Sequence, residues 1–234
     1  MTMPLIVAHR GASKAERENT LEAFATAGRM GADMVELDVR RTADGALVIH
    51  HDPTVDGRAI IDMRADELPS YIPGLSDSLD ACAGMQVNIE IKNDAGEPDH
   101  DPDQEVARKV AALLAERGDS DRMLISSFDR ATINAVKRAD PGLRTGYLFM
   151  IPELVNGVTL DAFVTGVAAE GHEALHPHRR AATPELVDAA HAVGLAVNVW
   201  TVDNPDVLVL LRDLGVDALI TNVPDLARQA LSQI

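Results

Sequence analysis

Apolar and β-branched runs of strand length recur eight times along this chain of 234 residues, and segments of helical length separate most of them. The runs begin at Leu5, Met34, Val87, Met123, Thr145, Glu173, Ala196 and Ala218. Asn19 is expected to cap the first helix. Eightfold strand–helix alternation in a chain close to the ~250 residues typical of such folds favours a closed parallel (β/α)8 TIM barrel over an open doubly wound sheet.

The spacing of the strands changes once, between the runs at Met34 and Val87. Ala43-Asp44-Gly45 predicts a turn, after which a strand is expected to run back beside the second barrel strand. Short helical pieces are expected at 64–68 and 76–83. We therefore predict one domain over residues 1–234, with a small insertion at 43–84 after the second strand.

The charge of the chain restricts its partners. Lys and Arg number 21 and Asp and Glu 37, which gives a formal net charge of −16 at pH 7. Such a surface repels phosphate backbones and anionic lipids, so we expect neither a nucleic-acid nor a membrane partner. The opening residues MTMPLIVAHRG lack the basic and apolar segments of a signal peptide, so a cytoplasmic location is expected. The oligomeric state does not follow from these features.

Two strands place acidic side chains inside the predicted barrel. In MVELDV the apolar residues share one face and leave Glu36 and Asp38 on the other; in VNIEIK, Asn88, Glu90 and Lys92 point inward by the same alternation. Active sites of such barrels lie at the carboxyl ends of the strands. Clustered carboxylates are unfavourable without a cation, so Glu36, Asp38 and Glu90 are candidate ligands of one hard divalent ion, Mg²⁺ or Ca²⁺, with Mn²⁺ also suitable.

Salt bridges are the alternative interpretation of these acids. Glu36 would then pair with Arg40 or Arg41, and Glu90 with Lys92. An isolated E-x-D favours that interpretation, whereas a further inward acid on a second strand favours a metal site.

Two histidines are expected at the same mouth of the barrel. His9 ends the first strand, and His51 ends the returning strand directly before Asp52. An ordinary pKa near 6.5 suits histidine to general acid–base catalysis at neutral pH, although a single strand-end histidine is more often a satisfied core residue. Arg10 and Lys92 offer fixed positive charge for an anion such as a phosphate.

Weaker candidates lie on the later strands. Trp200 alternates inward at the end of the seventh strand, where it is a candidate apolar wall for a glycerol-like group or simple packing. His176 and His178 are candidates to line the rim and bind a head group or phosphate.

Short motifs stand in a characteristic order along the chain. They are HRG (9–11), ENTLEAF (18–24), GADMVELDV (31–39), T-x-DG (42–45), HD (51–52), NIEIK (88–92), SSF (126–128), VWTVD (199–203) and GVDALITNVPD (215–225). This order, which covers nearly the whole chain, resembles the glycerophosphodiester phosphodiesterase family. The chain departs from the family pattern at Arg17, where Pro usually precedes ENT, and in a shortened stretch at 53–58 after HD.

The resemblance implies a βα barrel with a small insertion after its second strand. It also implies hydrolysis of a small-molecule glycerophosphodiester to glycerol 3-phosphate and an alcohol, with a divalent cation. Carried over by position, it gives the candidates these roles: metal ligands Glu36, Asp38 and Glu90; acid–base pair His9 and His51; phosphate-binding residues Arg10 and Lys92.

Three other functions fit parts of the same pattern. A phosphodiesterase could act on a different diester, such as a lysophospholipid. A metal-assisted lyase or aldolase would use carbonyl chemistry, but the chain has no inward Lys isolated in an apolar strand for a Schiff base. A noncatalytic phosphate-binding barrel would bind anions without turnover.

Overall fold

A computed structural model describes residues 3–151 and 158–232. Its strands are β1 (Leu5–His9), β2 (Met34–Arg41), β3 (Leu47–Ile49), β4 (Thr54–Val55), β5 (Arg58–Ala59), β6 (Gln86–Ile91), β7 (Met123–Ser127), β8 (Arg144–Phe149), β9 (Ala174–Pro177), β10 (Ala196–Val199) and β11 (Ala218–Thr221). Its α-helices are α1 (Leu21–Arg29), α2 (Leu75–Ala81), α3 (Glu105–Arg117), α4 (Arg130–Ala139), α5 (Leu160–Ala169), α6 (Pro184–Ala192), α7 (Pro205–Leu214) and α8 (Pro224–Ser232). Across these two described ranges, no helix has the length and apolar character needed to cross a membrane.

Eight of these strands form a closed parallel barrel. Their order is β1, β11, β10, β9, β8, β7, β6 and β2, and pairing of β2 with β1 closes the ring, with His9 opposite Glu36. A helix separates each barrel strand from the next in the chain. The predicted (β/α)8 barrel and all eight of its predicted strands are confirmed.

The strand faces follow the predicted alternation. Val35, Leu37 and Val39 on β2 are fully buried and belong to the same apolar cluster as the outward residues of β6 and the inner faces of α1 and α3. Burial of this cluster fixes which way β2 faces, because a slip of one residue would turn every side chain to the other side. Glu36 and Asp38 therefore point into the barrel.

The segment between β2 and β6 carries the extra elements. Strand β3 runs antiparallel to β2, with Ile49 opposite Val39, as the turn at 43–45 predicts. A 3₁₀ helix at Ala65–Glu67 and the helix α2 occupy the positions of the two expected helical pieces. The Arg17 guanidinium lies 3.9 Å from the centre of the Tyr71 ring and so joins the loop after β1 to this segment.

The prediction that Asn19 caps α1 is wrong. The cap is Thr20, whose hydroxyl accepts a hydrogen bond from the Ala23 N–H at 3.2 Å. Asn19 has a left-handed backbone with φ of +57°, and its side chain turns toward the barrel instead. There its Nδ2 donates to Asp38 Oδ2 at 2.8 Å.

Candidate active site

A cavity of about 170 Å³ opens at the carboxyl ends of the barrel strands. Its walls bring together most of the residues that the sequence singles out, together with several apolar ones. The lining residues are His9, Arg10, Glu36, His51, Asn88, Glu90, Lys92, Phe128, Leu148, Trp200 and Ile220. Asp38 is buried beside this wall, 1% exposed.

Three carboxylates converge at the wall of the cavity. Glu36 and Asp38 on β2 and Glu90 on β6 each present an oxygen within 4.8 Å of the other two. The parallel register places Asp38 directly opposite Glu90. All three residues are buried, and Glu36 and Glu90 line the cavity.

Two cations neutralise part of this charge. Lys92 Nζ lies 2.7 Å from Glu90 Oε1 and 3.4 Å from Asp38 Oδ1, while Arg10 Nε lies 3.3 Å from Asp38 Oδ2. Burial opposes ionisation of Asp38, but Lys92 and Arg10 outweigh it and lower the pKa of that carboxyl. The alternative pairing of Glu90 with Lys92 is thus present within the cluster. Glu36 pairs with neither Arg40 nor Arg41, which bind other acids.

Glu36 supplies the strongest sign that this cluster suits a cation. Its Oε2 accepts a hydrogen bond from the Arg10 N–H at 2.8 Å, whereas Oε1 is buried without a hydrogen-bond partner. Burial, followed by the charges of Asp38 and Glu90, raises the pKa of Glu36 well above its ordinary value. A buried, unpaired carboxylate oxygen is costly, and a hard divalent cation removes that cost. These residues therefore fit the cation that the sequence suggests.

The two candidate histidines line the same cavity but have different partners. His9 Nδ1 lies 2.7 Å from Asn222 Oδ1, and His51 Nδ1 lies 2.7 Å from Asp52 Oδ1. Burial lowers the pKa of His9, and the nearby Arg10 lowers it further. Burial is also the main reason for the lowered pKa of His51. These shifts favour the neutral form of each ring.

An apolar wall faces the charged groups. Trp200 packs edge-to-face on Phe128, with ring centres 5.5 Å apart, and its Nε1 donates to the His176 carbonyl at 2.7 Å. Leu148 and Ile220 continue this wall. A small polar molecule with one apolar edge can therefore bind between the charged side chains and the ring of Trp200.

His176 does not line the rim, contrary to the expectation from the sequence. Its ring is 1% exposed inside the barrel, where Nε2 lies 2.9 Å from Asn198 Nδ2. Residue 146 is a glycine because a Cβ there would collide with this ring. His178 lies nearer the mouth and packs edge-on against Trp200, with ring centres 5.1 Å apart.

Sequence reasoning gave no role at the site to three asparagines, although strand alternation placed Asn88 inward. Asn19 holds Asp38, Asn222 holds His9, and Asn88 lines the cavity with both amide atoms buried and unpartnered. Asn88 and Asn222 lie on or just after the inward face of a barrel strand, which is the signal that could have found them.

A closed parallel barrel with such a mouth belongs to the (β/α)8 enzymes, whose reactive groups come from several strand ends. Residues 9–226 match the model of the glycerophosphoryl diester phosphodiesterase family, so the chain belongs to that family. It is therefore a phosphoric diester hydrolase.

Individual relatives agree with this assignment. A glycerophosphodiester phosphodiesterase of Caldanaerobacter subterraneus subsp. tengcongensis is 30% identical, over 94% of this chain and 95% of the relative. A crystal structure of a putative glycerophosphoryl diester phosphodiesterase from Silicibacter pomeroyi is 26% identical with a TM-score of 0.84, covering 98% of this chain and 93% of its own. An Oleispira antarctica phosphodiesterase, solved in complex with the product sn-glycerol-3-phosphate, shares the fold with a TM-score of 0.87 at 24% identity, covering 99% and 98%. The family and the relative of Caldanaerobacter subterraneus support glycerophosphodiester phosphodiesterase activity.

Proposed function

We propose that this chain hydrolyses small glycerophosphodiesters to glycerol 3-phosphate and an alcohol, with one divalent cation and with His9 and His51 as the acid–base pair. The observation that carries the proposal is the convergence of both histidines and the acidic cluster on one cavity. The proposal assigns this activity to a single domain over residues 1–234, with 43–84 as an insertion within it. The product in the Oleispira antarctica structure supports this substrate class.

Glu36, Asp38 and Glu90 would hold the cation, Mg²⁺ or Ca²⁺, with Mn²⁺ as a further possibility. When bound, a divalent cation lowers the pKa of an attacking hydroxyl and neutralises charge on the phosphate. Lys92 and Arg10, both beside the acids, bind and orient the phosphate oxygens. Trp200 closes the apolar side of the cavity against the glycerol carbons.

The two histidines carry the proton transfers. One neutral ring removes the proton of the attacking hydroxyl as the new bond to phosphorus forms. The other ring, which enters the step protonated, donates a proton to the leaving alcohol oxygen as its bond to phosphorus breaks and is left neutral. The attacking group is either the hydroxyl of the substrate's own glycerol, which gives a cyclic phosphate that water then opens, or water itself. Phosphorus NMR of the reaction distinguishes the two routes, because only the first route produces the cyclic phosphate.

The direct test uses metal-stripped protein and three substrates: glycerophosphocholine, glycerophosphoethanolamine and lysophosphatidylcholine. Each is assayed for alcohol release with Mg²⁺, Mn²⁺ or Ca²⁺ added back. We expect no release without a cation and release from the two glycerophosphodiesters with one. Release from lysophosphatidylcholine alone would shift the assignment to a different diester, and no release from well-folded protein under any condition would reject it.

A further inference from the structure

The imidazole of His9 is linked to two further side chains at the end of β11 and β10. Asn222 Oδ1 lies 2.7 Å from His9 Nδ1, and Asn222 Nδ2 donates to Asp203 Oδ2 at 2.7 Å. Asp203 Oδ1 also accepts from the Asn222 N–H at 2.8 Å and from the Thr221 hydroxyl at 3.0 Å. Asp203 is thus held by three donors, although it lies at the surface.

The chemistry of these groups fixes the direction of each hydrogen bond. A carboxylate only accepts, so the amide atom that faces Asp203 must be the nitrogen of Asn222. The oxygen of Asn222 then faces His9 and can only accept. The Ser13 hydroxyl, which donates to the same oxygen at 2.9 Å, agrees with that orientation. His9 Nδ1 must therefore carry the proton of the neutral ring.

This tautomer decides how His9 can act. A neutral imidazole has one N–H, so a proton on Nδ1 leaves Nε2 with a free lone pair. Because the ring lines the cavity, Nε2 is the nitrogen that remains for a substrate hydroxyl. The opposite tautomer would offer that hydroxyl a donor, which cannot remove its proton.

We propose that Asn222, oriented by Asp203, is a positioning residue that holds His9 in the Nδ1–H tautomer and so presents Nε2 as the base. This rests on the proposed function, since it refines the role of one member of the acid–base pair. Neither Asn222 nor Asp203 lines the cavity, so both act through His9.

The test reads the tautomer directly. Protein labelled with ¹⁵N-histidine is examined by long-range proton–nitrogen NMR with Mg²⁺ present and no substrate, and the His9 signals are assigned with His9→Gln. We expect the Nδ1–H pattern in the wild type. In Asp203→Asn the Asn222 amide is free to turn its nitrogen to His9, so we expect the Nε2–H pattern. Turnover of glycerophosphocholine should fall roughly 10- to 100-fold with little change in KM.

Two further variants separate positioning from general damage. Exchanging the two groups, in Asp203→Asn/Asn222→Asp, restores an acceptor beside His9 Nδ1 and should restore the Nδ1–H pattern. Asp225→Asn changes an exposed carboxylate in the first turn of α8, makes the same change of charge and should leave both the tautomer and turnover unchanged.

An Nε2–H pattern for His9 in the wild type would overturn the proposal, and so would an unchanged tautomer in Asp203→Asn. Either NMR result stands apart from the substrate assay: a wild type that shows the Nδ1–H pattern yet releases no alcohol contradicts the proposed function and leaves the positioning supported.

Discussion

Glu36 is the least compensated charge among the described side chains of the cavity. Its Oε1 has no hydrogen-bond partner, and its pKa is raised by burial and by the acids beside it. An acid with a raised pKa in the folded state opposes folding when the solution forces it to ionise. We therefore expect Glu36 to destabilise the metal-free protein at pH 8 and, as a proposed ligand, to stabilise the metal-bound one.

The variant Glu36→Gln is expected to have opposite effects on stability and on metal binding. Removal of the buried charge should raise the melting temperature in EDTA at pH 8, while the loss of a ligand should weaken Mg²⁺ binding by more than the ~10–100-fold that outer-shell partners contribute. Thermal unfolding and calorimetric titration measure the two effects. Glu90→Gln serves as the control for stability, because it also breaks the contact with Lys92 and should gain nothing in EDTA. Undiminished Mg²⁺ affinity in Glu36→Gln would remove this residue from the ligand set.

Removal of either histidine should stop proton transfer without unfolding the barrel. We expect His9→Ala and His51→Ala each to lower turnover of glycerophosphocholine by ~10²–10⁴. His100→Ala is the matched control, since that side chain lies exposed in the acidic loop after β6. Circular dichroism checks the fold of each variant. A near-normal rate in either catalytic variant would exclude that histidine from the reaction.

At the scale of elements, one buried arginine ties two loops of the site together. Arg40 on β2 is fully buried and donates from Nε and Nη2 to the His51 carbonyl, at 2.9 and 2.5 Å. Its Nη1 donates to Glu97 at 2.8 Å and to Asp99 at 2.7 Å. The loop that carries His51 and the acidic loop after β6 are therefore held by the same guanidinium.

Truncation of Arg40 should be costly because it leaves two carboxylates without their cation. We expect Arg40→Met to lower the free energy of unfolding by about 3–5 kcal/mol, the usual cost of breaking a buried ion pair from one side. Denaturant unfolding gives this number. The neighbouring Arg41→Met breaks only a partly exposed contact with Glu105 and should cost below about 1 kcal/mol. Equal losses in the two variants would contradict the role given to Arg40.

Periodicity predicts the elements better than it predicts their loops. Alternation fixes the inward faces of β2 and β6, because burial of Val35 and Ile89 leaves only one orientation. It does not encode the backbone of the loop after β1, where Arg10 and Asn19 both have positive φ. That loop brings the Asn19 side chain to Asp38, a long-range contact that local secondary-structure propensity cannot predict. Thr20 therefore caps α1 in place of Asn19. The sequence does not predict the contacts of Arg40 for the same reason, because Glu97 and Asp99 lie on a distant loop.

For the whole molecule, the barrel interior combines an apolar cluster, with Val7, Met34 and Ile220, and several buried polar side chains. Asn88, Ser126 and His176, on three different barrel strands, carry buried polar atoms without hydrogen-bond partners. Strand alternation predicted an inward Asn88, but the filling of the interior depends on all eight strands at once. The ring of His176 occupies the space that Gly146 leaves on the neighbouring strand, so this histidine is part of how the barrel closes.

The buried ring of His176 should make the stability of the whole barrel depend on pH. Burial lowers the pKa of His176 to about 3, against an ordinary value near 6.5 in the unfolded chain. Between these values the unfolded chain binds a proton that the folded chain does not, so this contribution is complete above pH 6.5 and is lost as the pH falls toward 3. The upper limit of the loss is about 5 kcal/mol.

His176→Gln, which keeps an acceptor for Asn198, should be less stable at pH 7 yet lose less stability between pH 7 and pH 4. Denaturant unfolding across that range measures how the free energy of unfolding depends on pH in the wild type and in His176→Gln. Because His9, His51 and His172 contribute equally to both proteins, parallel pH dependences would show that His176 does not carry the effect.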